Sequence, residues 1–188
     1  MNTYLDRGGW IAICCLAVVM IGAIDRTTKD ALKVGHILRT IATHPSRPDN
    51  RELSAAVTES ELNAYIAHRL AQEKKPLFNS LRIALLDNNH VSGTLTFDAA
   101  RLHLDVLLGG NLNFDFKGIF HTRNGAAHLE LIALQLGGQP VKPQVLDFVL
   151  GTAALVYGTE SGSIADWYEL PHGIQRIMIQ KANAVLYY

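Results

Sequence analysis

The sixteen residues from Gly9 to Ile24 carry no charge, and Asp6-Arg7 and Asp25-Arg26 bracket them. An apolar run of this kind belongs in a membrane or in the middle of a large core. A core helix needs an apolar partner of comparable size. The chain offers none, so the membrane is the expected place. As a helix the run covers about 24 Å, slightly short of a hydrocarbon layer of roughly 30 Å. Snorkelling flanks would close that gap in an anchor, and a secretory signal's apolar region is the alternative. A cleavage site is poorly written, since Ile21 stands two residues before Ala23 where a small residue is preferred. The expectation is an uncleaved anchor. Cys14 and Cys15 are the only cysteines, and both fall inside this run. They read as small apolar residues of a membrane helix, and no disulfide or cysteine-held zinc can form further along.

The remaining length suits one domain. Lys+Arg and Asp+Glu both number 17, so no global field recruits nucleic acid. The hydrophobic share of 48% supports a packed core and argues against disorder. Arg7 precedes the apolar run while Arg26, Lys29 and Lys33 lie beyond it, so loop charge does not orient the chain. The N-terminal, signal-like position of the run favours export of the domain behind it.

From Asp25 the pattern becomes amphipathic. Ala31, Leu32, Val34, Ile37, Leu38, Ile41 and Ala42 recur at helical spacing, which predicts a helix lying along the membrane or docked on the domain. Pro45 and Pro48 end it in a linker. The expected organisation is an anchor or uncleaved signal at 1–24, an amphipathic helix and linker at 25–50, and an α+β domain at 51–188. Within that domain Thr58 and Glu61 form a capping box that opens a helix bearing Leu62, Tyr65, Ile66 and Leu70. Next come five alternating segments: Leu81–Leu85, Val91–Phe97, Leu102–Leu108, Leu112–Phe116 and Leu129–Ala133. Short turns join them, with Asn124-Gly125 the strongest hairpin signal, and together they predict an antiparallel meander. Pro143 starts a second helix, with Val145, Leu146, Val149, Leu150, Ala153, Ala154 and Tyr157 at helical spacing. Ile174–Ile179 and Ala184–Tyr188 form a closing pair of strands.

Catalytic chemistry finds no constellation. The eight histidines include no His-x-x-x-His pair. His121 faces His128 across the predicted hairpin, with His103 on a neighbouring strand, and all three read as solvent-facing strand residues. Gly158 to Gly162 has the wrong glycine spacing and the wrong preceding element for a nucleophile elbow. Glu59 and Glu61 could be called paired carboxylates, but capping explains Glu61. Asp166-Trp167-Tyr168-Glu169 sets two aromatics in a polar loop, read as local packing with a ligand rim as the alternative. No catalytic residue, metal ligand or cofactor is expected.

The order of elements resembles small bacterial envelope proteins of the tubular lipid-binding (TULIP-like) kind. The likeness runs over about residues 55 to 188. Its matching stretches are Val57-Thr58-Glu59-Ser60-Glu61-Leu62-Asn63-Ala64-Tyr65-Ile66, then Leu134 to Val141, then Leu170 to Ile177. The doubled Gly137-Gly138 and the proline at Pro143 depart from that pattern. The resemblance implies a curved meander sheet wrapped on two long helices behind an N-terminal membrane helix. It also implies a lipid or fatty acyl ligand in an apolar groove, with no catalytic residues. Groove candidates are Leu62, Tyr65, Ile66, Leu95, Phe97, Leu104, Val106, Phe114, Phe116, Leu146, Val149 and Leu150. The expected setting is the inner membrane, single-pass through residues 9–24, with the C-terminal domain in the periplasm. The alternative is a non-enzymatic scaffold with a dry core that binds envelope proteins.

Overall fold

The computed structural model describes residues 8–43, 52–74, 76–104, 110–158 and 162–188, with side chains from Arg26 onward. Helix α1 (Gly8–Thr43) joins the apolar run and the amphipathic segment without a break. Only the backbone of its first half is described, so the anchoring role of residues 9–24 lies outside the described side chains. Among the described residues no helix is long and apolar enough to cross a membrane. The second half of α1 docks on the domain. Ala31, Val34 and Ile41 are buried there, whereas Leu32 and Ala42, expected on the same face, are exposed.

Strand β1 (Ser54–Thr58) leads into helix α2 (Glu59–Gln72) through the capping box expected at Thr58. Thr58 Oγ1 accepts from Glu61 N–H at 3.3 Å, and Glu61 Oε2 accepts from Thr58 N–H at 2.9 Å. Strands β2 (Ser80–Leu85), β3 (His90–Asp98), β4 (Asn111–Arg123) and β5 (Ala126–Leu136) then form the meander. All pair antiparallel in chain order, and two-residue strands β6 (Gln139–Pro140) and β7 (Tyr168–Glu169) both add to β5. The result is a curled antiparallel half-barrel within an α+β fold.

Two expectations about this sheet are corrected. The alternation from Leu102 does not continue a strand there, because residues 99–103 are turns. The Asp98 carboxylate accepts from the Ala100 and Arg101 N–H groups, and Leu102 and Leu104 N–H groups bond back to Asp98 and Ala99 carbonyls. A side chain that offers the backbone such local partners competes with the ladder. Residues 105–109 lie outside the described set. The second correction concerns the helices. Helix α3 (Pro143–Tyr157) covers the main core of the half-barrel, while α2 packs between α1 and the edge of β2 and reaches the sheet only through Leu62.

The Asn124-Gly125 turn matches its sequence signal, with φ of +52° and +72° closing β4 onto β5. Further along that pair Ile132 is the extra residue of a bulge opposite Lys117 and Gly118. Curvature also needs Gly93, where a Cβ would lie 2.2 Å from the Arg82 carbonyl oxygen. Strands β8 (Arg176–Gln180) and β9 (Asn183–Tyr187) form the closing hairpin, and β1 joins it in a separate sheet ordered β1-β9-β8.

Glu61 binds these layers to α1. Its second oxygen accepts from the Lys33 ammonium, and the residue is buried. Burial alone would raise its pKa, but the Lys33 and Thr58 hydrogen bonds outweigh burial and hold the carboxyl below its ordinary 4.5. A lowered folded-state pKa adds stability above the ordinary value and loses it as pH falls through the folded value. Glu61→Gln should therefore lower stability at neutral pH by about 1–2 kcal/mol. It should also flatten the decline below pH 4.5. Urea midpoints across that range check both; an unchanged acid limb would remove Glu61 from the account.

Candidate functional site

The groove candidates separate into two places. Leu95, Phe97, Leu104, Phe114, Leu146 and Val149 meet in one core under the half-barrel, with Phe116 and Leu150 half-buried at its margin. Strand parity explains the first set, because Leu95 lies opposite Phe114 and Phe97 opposite Leu112 on one face. Tyr65 instead packs with Val34, Ile41, Val57, Ile174 and Leu186 under α1, and Leu62 bridges that cluster to Leu85, Val91 and Ile179. Ile66 is half-buried on α2, and Val106 lies outside the described residues. The sequence could not separate these sets, because an apolar stripe does not say which layer it faces.

The core under the half-barrel is filled. Phe97, Phe114 and Val149 are 0% exposed, and Phe97 meets Phe114 edge to face at 5.9 Å. Phe78, absent from the candidates, closes the same stack at 6.4 Å. What is unusual lies on the other side of α3. Phe148 is 61% exposed, Val156 41% and Leu155 85%, although Leu146, Val149 and Ala153 bury the inner face. Asp147 is the only charged residue of α3. Its carboxylate accepts from the Ser163 hydroxyl and the Ile164 N–H, so it ties down a loop.

The carboxylates near the capping box are equally occupied. Glu59 accepts from Leu85 N–H at 2.8 Å. Asn63 accepts from Ile83 N–H and donates to the Ile83 carbonyl, at 2.9 and 2.7 Å. Two helix side chains thus take the place of a strand along the edge of β2. Their partners lie 20 and 26 residues away, which is why spacing alone reveals only the local cap.

Polar chemistry gathers at the far end of the β4–β5 hairpin. His121 and His128 face each other in register, with rings 6.1 Å apart, and His121 Nε2 lies 2.9 Å from Glu130 Oε2. Trp167 stacks on His128 at 5.3 Å, and the Arg123 guanidinium lies 5.1 Å above the Trp167 ring. Tyr168 donates its hydroxyl to the Ser163 carbonyl, and burial followed by the nearby Asp166 and Asp147 charges raises its pKa. Loop 166–169 is therefore packed onto the hairpin. The Trp167 stack also rims a cleft of about 680 Å³. His103 is elsewhere, in a turn with φ of +57°. Among the described residues no three His, Cys, Asp or Glu side chains are grouped to hold a metal ion.

Comparison with known proteins returns no match: no family model, no curated protein and no solved structure matches this chain.

Packing of the inner face makes a direct forecast. Leu95→Trp and Leu104→Trp each push a larger ring into filled space and should lower stability by about 1–3 kcal/mol. Thermal unfolding of the two variants measures this. Unchanged melting temperatures would reveal slack space beneath the half-barrel.

Proposed function

We propose that this protein is anchored in a membrane through residues 9–24 and holds or shuttles a lipid acyl chain beside α3, outside the cytoplasm. The carrying observation is that α3 is apolar on both faces, with Phe148, Leu155 and Val156 left to solvent. A helix that is hydrophobic all round normally has apolar surroundings on every side. An acyl chain supplies them without any ion pair, since each buried methylene contributes roughly 0.8 kcal/mol. The full burial of Phe97, Phe114 and Val149 supports a place for the acyl chain outside the core. The acyl chain lies along the outer face of α3, or enters the layer beneath it by displacing that helix.

The second reading is a non-enzymatic envelope scaffold that binds protein partners. The full burial of Phe97, Phe114 and Val149 favours it, because a dry core leaves no room for ligand inside. Mass spectrometry of an organic extract from the purified full-length protein separates the two. Co-extracting phospholipid or fatty acid is expected. The double variant Phe148→Ser, Leu155→Ser leaves the buried face of α3 intact and should keep its melting temperature while losing that lipid. Lipid-free extracts of the parent from several expression hosts would give the scaffold reading its place.

A further inference from the structure

The cleft at the Asn124-Gly125 end of the half-barrel holds a cation, Arg123, that no carboxylate among the described residues meets. Its other guanidinium is matched. His121 faces Glu130 at 2.9 Å, and Arg176 reaches both oxygens of Glu52 at 3.1 and 3.3 Å. Among the described residues Arg123 meets no carboxylate, and its guanidinium lies on the Trp167 ring. A guanidinium spread on an indole is oriented while its in-plane N–H fork stays available. His128, on the same indole, donates Nδ1–H to the Asp166 carbonyl at 3.3 Å, so in that tautomer Nε2 is an acceptor, suited to the P–OH of a phosphate. Behind these groups Phe120 and Ile177 are half-buried and apolar, which lowers the local dielectric and strengthens a charge-assisted hydrogen bond.

We propose that this cleft binds an oxyanion of the phosphate type, held by the Arg123 fork with the His128 imidazole beside it. The fork geometry matches two oxygens of one anion. A free phosphate and a phospholipid headgroup present the same chemistry. The site does not rest on the acyl-chain reading. His121 lies seven residues beyond Phe114 on β4, about 23 Å along an extended strand from the core over α3.

The test uses the full-length protein with Trp10→Phe, which leaves Trp167 as the sole tryptophan. Inorganic phosphate is titrated against chloride of equal ionic strength in detergent micelles. In parallel the protein is reconstituted in phosphatidylcholine nanodiscs with or without phosphatidic acid. A saturable change in Trp167 emission is expected with phosphate or with phosphatidic acid, and the responding arm names the source. Arg123→Gln should weaken the response by roughly tenfold or more, and Arg123→Lys, which keeps charge without the fork, by less. Arg176→Gln, whose parent charge already meets Glu52, should leave it nearly unchanged. In the unmutated protein the His128 imidazole resonance should shift along the same curve. No saturable response to either probe, an equal response to chloride, a still His128 resonance, or undiminished binding by Arg123→Gln each overturns the site.

Discussion

Glu61 sits where three parts of the molecule meet, and its two oxygens serve different ones. One closes the cap that turns β1 into α2, and the other takes the Lys33 ammonium from α1. An unpaired carboxylate at this depth would be costly to bury, so removing either partner disturbs both joints. The residues around it extend the linkage outward. Glu59 and Asn63, one turn apart on α2, take up backbone groups of β2 at Leu85 and Ile83. The stretch from Thr58 to Asn63 therefore holds α1, the small sheet and the edge of the half-barrel in one arrangement. Its carboxylates are consumed by architecture, which is a physical argument against giving them catalytic work.

How much of this could be read in advance depends on the range of each interaction. The Thr58–Glu61 cap, the Asn124-Gly125 turn and the Pro143 helix start are local, completed within a few residues, and the structure has them where the sequence predicts. The inward parity of Leu95, Phe97 and Phe114 is nearly as local. Strand β1 offered only Val57 as a branched apolar residue, so alternation could not mark it, and its pairing to β9 spans most of the domain. Leu102 and Leu104 failed for the opposite reason. Their alternation is real and both are buried, but the Asp98 carboxylate draws the preceding backbone into turns. Burial with the right period does not require a strand.

The candidate groove shows the same limit. Period and parity identify which side chains face inward, and eight of the twelve candidates do come together about the half-barrel and α3. Whether inward-facing side chains leave a cavity depends on summed volumes and on partners such as Phe78, which no alternation selects. Tyr65, packed under α1, shows that a helix stripe can serve more than one layer, and Leu62 on the same stripe reaches both.

These constraints leave two surfaces that folding does not use. The inner face of α3 already has its apolar neighbours, so Phe148 and Leu155 are not needed to close the core. Covering two such side chains contributes about 2 kcal/mol each, a gain open to any apolar ligand or partner that reaches them. At the other end of β4, Arg123 is not needed by the neighbouring Arg176–Glu52 pair, which closes without it. One surface offers apolar area without charge and the other offers charge over an aromatic ring, and the loop that Asp147 ties to α3 leads from the first towards Trp167 of the second. A ligand meeting only one of these demands would leave the other surface unexplained. Both surfaces border the curled sheet, which has a close backbone approach at Gly93 and a bulge at Ile132.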